Sequence, residues 1–286
     1  GLLLEAGADL RITGYDLKKA IYTNMEADIP EPGSVLVGAR LFCEMLRRMP
    51  DGIVTVEAEN GTVSVKCGKA AFNLVGLSAD DYPDLPTVEA ENGVSLPQDL
   101  LKKMINECSF AVSTNESRPV YMGTLFEIAH NELTMVSVDG YRLALRREPV
   151  EGYGDDCSFI VPGTALSDLE RLCGDSDERV VLSVGSKHIS FTVGNTVILS
   201  RRLEGDFLNY KKAIPESFRI TVKTARTDLL DVVERVSLII DSKNNAPLRL
   251  TFRKDAIDFV CTTPLGKAAD SCPCEGDGGD LEIGFN

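Results

Sequence analysis

Histidine is nearly missing from this chain of 286 residues: there are two, His130 and His188, each isolated in a strand-like segment. That leaves little general-base capacity, and no Ser-His-Asp or Cys-His grouping can be assembled around them. A glycine-rich phosphate loop and a metal-ligand spacing are missing as well. The carboxylates of Asp16, Asp139 and the Asp80/Asp81 pair remain as acid–base candidates, but turn capping explains the Asp139-Gly140 step more simply. Neither catalysis nor a cofactor or metal is expected. Long apolar runs are lacking too; none approaches the ~18 residues that cross a bilayer, so no membrane partner is expected.

Cations are in deficit, with 30 Lys and Arg against 44 Asp and Glu and a formal net charge of −14. The total argues against coating nucleic acid, since phosphate binding needs clustered cations, but leaves room for a local basic face on an acidic body. The eight cysteines mostly sit inside apolar patterns, as Cys43 and Cys108 do. This suits free buried thiols in a reducing cytoplasm better than a disulfide framework. Cys272-Pro273-Cys274 is the only close pair, and without nearby ligands it is expected to be a solvent-exposed loop.

What the chain does have is repetition, with a period of about 125 residues. Ile12-Thr13-Gly14-Tyr15-Asp16-Leu17 returns as Val136-Ser137-Val138-Asp139-Gly140-Tyr141. A Gly-led helix follows each, beginning at Gly38 and at Gly163, and each copy closes on an acidic-aromatic turn, at Asp80 to Pro86 and at Glu204 to Tyr210. A third copy begins near Phe218. The frame sets the domains at 1–90, 91–215 and 216–286. It also places the start of the first copy about 30 residues before Gly1 and leaves about 50 residues of the third beyond Asn286. The chain is therefore expected to be an internal fragment, its first and third copies truncated.

Alternating apolar runs broken by turn residues predict antiparallel hairpins. Ile53 to Glu59 and Thr62 to Lys66 flank Asn60-Gly61; Leu125 to Ile128 and Leu133 to Val136 flank Asn131-Glu132. Four helices interrupt them. Gly38 to Met49 aligns Leu41, Phe42, Met45, Leu46 and Met49, and Pro97 to Cys108 aligns Leu100, Leu101, Met104, Ile105 and Cys108. Thr164 to Leu172 and Thr227 to Ile240 complete the set, with Thr227 a candidate N-cap. Two helices and about eight strands per complete copy make an α+β protein, its helices covering one side of antiparallel sheets.

The helices also hold the cations. Arg40, Arg47 and Arg48 share one face opposite the first apolar stripe, Lys102 and Lys103 flank the second, and Arg226 and Arg235 lie on the last. Helix 164–172 has only Arg171, while acidic residues gather in strands and turns, among them Glu57, Glu59, Glu89, Glu91, Asp155, Asp156 and Asp277. Helices lining one surface and acidic strands outside would meet a DNA backbone without reading bases.

Val136-Ser137-Val138-Asp139-Gly140-Tyr141-Arg142-Leu143-Ala144 resembles the central signature of the bacterial sliding clamp family, the beta subunit of DNA polymerase III. The likeness runs colinearly through Phe159 to Pro162, Leu203 to Tyr210, Asn244 to Leu250, Leu265 to Ala268 and Leu281 to Asn286. It implies three tandem DNA-clamp folds, with sheets outside and helices inside, in a subunit that joins a second head to tail. The ring so closed is non-enzymatic; it slides on double-stranded DNA and tethers the replicative polymerase, and a clamp loader opens it.

The resemblance also carries residues over. The pocket for short linear motifs of polymerase, loader and other partners, between copies two and three, matches Tyr121, Val138, Gly140, Tyr141, Arg142, Leu143, Leu208, Lys212 and Ala213. The family often has Pro where this chain has Leu208. DNA contacts match Arg40, Arg47, Lys102, Lys103 and the loop Asn115 to Arg118, and the ring interface would set Phe72 and Leu74 against Ile239 and Ile240 of a neighbour. The alternative is a repeat-built protein-interaction scaffold that encircles no DNA.

Overall fold

The computed structural model describes residues 1–88, 93–151, 156–240, 246–277, 279 and 281–286. The expected boundary at 90/91, the acidic residues Glu89, Glu91 and Asp155, and Asn244-Asn245 lie outside the described residues. The chain forms two compact units, Gly1–Leu208 and Asn209–Asn286.

The first unit runs through the same element order twice. It begins with strands β1 (Leu2–Ala6), β2 (Leu10–Tyr15), β3 (Lys19–Met25) and β4 (Gly33–Val37), then helix α1 (Ala39–Leu46), then β5 (Thr55–Glu59), β6 (Thr62–Cys67) and β7 (Ala70–Val75). A strand–helix pair, β8 (Gly93–Pro97) and α2 (Gln98–Ser109), precedes the second passage. That passage comprises β9 (Gly123–Ala129), β10 (Glu132–Val138), β11 (Leu143–Pro149), β12 (Cys157–Pro162), α3 (Gly163–Leu172), β13 (Arg179–Val184), β14 (His188–Val193) and β15 (Thr196–Arg201). Paired bridges close both passages alike, Leu36 to Leu77 in one and Ile160 to Leu203 in the other.

Every strand pairing is antiparallel, and the longest sheet runs β4-β1-β2-β3-β15-β14-β13-β8. Its middle joins the two passages: Ile21 lies opposite Ile198 and Ala20 opposite Leu199, both Ala20 and Ile198 being fully buried. Lys19 Nζ crosses the same seam to the Asp168 carboxylate on α3 and to the Thr164 carbonyl oxygen at 3.5 Å. A hydroxyl contact of 2.9 Å from Thr196 to Thr23 closes its other end. Two smaller sheets complete the unit, β5-β6-β7 and β11-β10-β9-β12.

The main core lies in the second passage, where α2 packs on β8, β10, β11, β13 and α3. Leu101, Met104, Ile105 and Cys108 of its expected stripe are buried against Phe126, Met135, Leu166 and Phe191. The start of α2 is tied down by Gln98, whose Oε1 accepts the Gly174 amide at 2.8 Å and whose Nε2 donates to Glu178 at 3.2 Å. Burial of Gln98 costs little because its amide is satisfied in both directions.

The second unit holds α4 (Tyr210–Ala213), β16 (Val222–Lys223), α5 (Arg226–Ser237), β17 (Leu248–Phe252), β18 (Ala256–Thr263), β19 (Gly266–Pro273), β20 (Glu275–Gly276) and β21 (Leu281–Phe285). Its sheet runs β19-β18-β17-β21, and α5 packs on β18 and β19 through Val232 and Val236.

Several local expectations need correction. Cys272 and Cys274 are buried, not in an exposed loop: Cys272 sits on β19 opposite Ile257, and Cys274 donates to the Arg253 carbonyl. Pro273 fits there because β19 is an edge strand, where a missing amide proton breaks no ladder bond. Helix α5 starts at Arg226 after Ala225, so Thr227 is no cap; its hydroxyl lies against Asp228 at 3.3 Å. The helix also stops at Ser237, short of Ile240. Leu41, expected on the apolar stripe, is 59% exposed; α1 buries only Phe42 and Met45. The turn expected at Asn131-Glu132 falls one residue earlier, with His130 at φ 53° and Asn131 at φ 60°, the left-handed pair that a two-residue hairpin requires. Asn60-Gly61 makes the same turn where it was expected, at φ 49° and 75°. Strand β5, expected to bury one face, is exposed along its length.

Met104 is wholly buried at the centre of α2. Met104→Ala should destabilise the first unit by about 2–5 kcal/mol through lost burial and a residual cavity, read as a lower urea midpoint at unchanged slope.

Candidate functional site

Strands β10 and β11 are joined by a corner of four residues, Asp139-Gly140-Tyr141-Arg142. The Asp139 amide donates to the Arg142 carbonyl at 3.3 Å, and Gly140 takes φ 95°, where a side chain would be strained. The Asp139 carboxylate accepts from the Tyr141 amide at 3.0 Å, the Arg142 amide at 3.1 Å and Arg142 Nε at 2.7 Å. The Tyr141 amide, then the Arg142 guanidinium and amide, hold its carboxyl below the usual range against the opposing effect of burial. With its backbone fixed, the corner presents Tyr141 at 100% exposure. Arg142 lies over the Phe110 ring, 5.7 Å from its centroid.

The neighbouring candidates come from the same end of the sheet. Val138, buried, is the last residue of β10, and half-buried Leu143 is the first of β11. A 2.8 Å hydroxyl contact between Thr124 and Ser137 ties the start of β9 to the end of β10. The turn Pro119–Met122 leads into β9, and within it Tyr121 packs edge-on against Phe207 at 5.6 Å. Leu208, next along the chain, is 40% exposed. The hairpin candidates are thus contiguous, with Tyr121 and Phe207 forming an aromatic pair. Lys212 and Ala213 belong to the second unit, exposed on α4, whose Asn209 side chain accepts the Lys212 amide at 3.4 Å.

Two aromatic residues were missed. Phe110 follows the last turn of α2 and is 56% exposed; apolar periodicity cannot separate such a residue from the core. Phe207 carries no signal in the sequence beyond its place in the closing acidic-aromatic turn.

The candidate cations divide into paired and unpaired. Arg40 bonds Glu44 one turn on at 3.0 Å, and Lys102 bonds Asp175 at 2.7 Å, a contact that raises the Lys102 pKa. Arg47, Arg48, Lys103 and Arg118 are exposed and make no ion pair among the described residues. The Asn115 side chain accepts the Ser117 amide at 3.0 Å, which fixes the loop carrying Arg118. Phe72, 44% exposed, and half-buried Leu74 lie on β7, an edge strand of its sheet. Ile239 and Ile240 follow α5 and pack, partly buried, against the core of the second unit.

Asp16 is spent on a turn like that of Asp139: it caps the amides of Lys18 at 2.9 Å and Lys19 at 2.7 Å. Burial pushes its pKa up, but the two amides and lysines outweigh it and leave the carboxyl below its usual range. Among the described residues no three His, Cys, Asp or Glu side chains group to hold a metal ion, and no helix is long and apolar enough to cross a membrane.

Residues 1–86 match the family model for the N-terminal domain of the DNA polymerase III beta subunit, and residues 95–209 match that for its central domain. The beta sliding clamp of Staphylococcus epidermidis is 32% identical over 262 residues, which cover 91% of this chain and 70% of the relative. The crystal structure of the DNA polymerase sliding clamp from Bacillus subtilis superimposes with a TM-score of 0.93 at 28% identity, covering 100% of this chain and 79% of that one. The DNA polymerase III beta subunit from Pseudomonas aeruginosa gives 0.93 at 28%, with 100% and 80% covered.

The Asp139 carboxyl titrates lower folded than unfolded, so its contribution to stability is present above the ordinary carboxylate pKa of about 3.9 and lost as pH falls through the lower folded value. Asp139→Asn should therefore be less stable than the unaltered chain at pH 7, with the gap closing on acidification. Denaturant titrations between pH 7 and 2 measure it; a gap independent of pH would contradict the assignment.

Proposed function

Because this chain belongs to the DNA polymerase III beta subunit family and is a DNA sliding clamp serving replicative processivity, we propose a division of three tasks among its residues. Its architecture is three tandem copies of one clamp fold, at 1–90, 91–215 and 216–286. Helices face the DNA passage and antiparallel sheets face away from it. The protein works in the cytoplasm, holds duplex DNA topologically and performs no reaction of its own.

DNA contact falls to Arg40, Arg47, Lys102, Lys103, Asn115 and Arg118. Arg47, Lys103 and Arg118 are the strongest candidates, since Arg40 and Lys102 are already engaged by carboxylates. The contacts are to phosphates, which gives hold without sequence preference. Self-association falls to Phe72 and Leu74 on the open edge of β7, meeting Ile239 and Ile240 of a second copy head to tail. Exposed aromatic surface on an unpaired strand edge supports this assignment.

Partner recognition falls to Tyr121, Val138, Gly140, Tyr141, Arg142, Leu143 and Leu208, with Lys212 and Ala213 carried over from the resemblance. A rigid corner offering a guanidinium and an exposed ring suits a short peptide of replicative polymerase or clamp loader: apolar side chains are held while Arg142 fixes polar ends. The single observation that carries the proposal is the colinear likeness to sliding clamps across nearly the whole chain.

The test is retention on DNA. Loaded by a clamp loader with ATP onto a nicked circular plasmid, the protein should co-elute with the circle and be released when the plasmid is cut to a linear form. Arg47→Glu with Lys103→Glu should lower retention and flatten the salt dependence by about one phosphate contact each. Equal retention on circular and linear DNA, or on neither, would favour the scaffold alternative.

A further inference from the structure

Arg142 is a long side chain at the tip of an exposed corner, where a guanidinium would ordinarily sample many rotamers and lose that freedom on binding. Here it does not stand alone. Asp139 takes its Nε at 2.7 Å, and the Phe110 ring, just past the end of α2, lies 5.7 Å from the guanidinium carbon. The Nη groups have no partner among the described residues and the side chain is 55% exposed, so the fork is held at Nε with its remaining donors unengaged. Asp139 also builds the turn itself, through the Tyr141 and Arg142 amides. One carboxylate thus sets both the backbone that carries the arginine and the direction of its side chain.

The equivalent corner of the first passage serves as an internal control. Asp16 caps Lys18 and Lys19 in the same manner, but Lys19 reaches away from its own aspartate to Asp168 on α3. Capping the turn therefore does not by itself bring the basic residue back. At the second corner that return coincides with an exposed ring placed beneath it.

We propose that Asp139 and Phe110 are positioning residues for Arg142 in the peptide-docking site, presetting its guanidinium to donate to an acceptor oxygen on the docked chain. This rests on the peptide-site reading above. Asp139→Asn separates the two tasks of the carboxylate, because an amide oxygen still caps the turn but the charge that holds Nε is gone. Phe110→Leu keeps apolar bulk and removes the ring face.

The experiment is a double-mutant cycle on the whole chain. It uses fluorescence polarisation of a labelled peptide copied from the C-terminal tail of a bacterial replicative polymerase, with a thermal melt for every variant. Arg142→Ala should weaken binding about tenfold, and Asp139→Asn and Phe110→Leu about threefold each. In an Arg142→Ala background both should change affinity by less than about 1.5-fold, because they act through the arginine. Arg142→Lys should fail to restore binding, since an ammonium has no Nε and no fork.

Losses at Asp139 and Phe110 of equal size with and without Arg142 would overturn the proposal and assign both residues to the turn or the fold. Unchanged binding by Arg142→Ala would instead remove the peptide-site reading, and the proposal with it. If Asp139→Asn melts early, Phe110→Leu decides alone, its ring being over half exposed and outside the core cluster.

Discussion

The backbone ladder between β3 and β15 is the constraint on which the first unit depends. Without it each passage would present an unpaired strand edge to water, and such edges invite wrong pairing. Joined, they make one sheet whose seam buries Ala20 and Ile198 completely. The Lys19–Asp168 pair adds direction to that seam, since it reaches from β3 to α3 with both partners mostly shielded. Removing one partner would leave the other charge poorly solvated, so the pair specifies how the passages meet more than it adds net stability.

The same corner is used twice for different ends. At Asp16 the turn passes through Leu17 at φ 70°, a left-handed conformation that costs a non-glycine residue about 1–2 kcal/mol. At Asp139 the corresponding position is Gly140, which takes φ 95° without that cost. The first corner directs a lysine across the seam to α3. The second, free of that duty, holds an arginine against its own aspartate and leaves a tyrosine fully exposed beside it. Duplication gives two copies of a turn, and only the first is engaged in joining the passages.

Much of this was legible in the residues. The Asn60-Gly61 hairpin, the apolar stripe of α2 and the capped corner at Asp139 follow from turn chemistry and periodicity, which are local. The misreadings share a different physics. Cys272-Pro273-Cys274, without further ligands, reads as a loop, yet it lies on an edge strand that tolerates proline, and edges are decided by which strands pair. Thr227 has the chemistry of a cap, but the chain enters α5 two residues earlier, with Ala225 in the cap position. Leu41 fitted the stripe of α1 and is exposed, because the width of a buried face is set by the sheet it meets. Phe110 gave no signal: an aromatic at the end of an apolar helix is assigned to the core unless the fold places a guanidinium on it. The corner was visible in the sequence as a motif; the ring and the salt bridge that hold its arginine were not.

The acidic total does not conflict with a grip on DNA. Charges interact over about a Debye length, roughly 8 Å at physiological ionic strength, so carboxylates on distant strands scarcely reduce the field at a helix face. What matters is local pairing, and there Glu44 and Asp175 already quench Arg40 and Lys102. Of the proposed contacts that leaves Arg47, Lys103 and Arg118 without an ion pair among the described residues, a modest number that suits a sliding protein. Each phosphate neutralised releases condensed counterions and steepens the dependence of affinity on salt, so a surface lined with many cations would hold DNA in place. Weak electrostatic contact permits motion only if something else prevents escape. In the ring proposed for this clamp that role falls to topology, so closure would matter more to retention than any single cation.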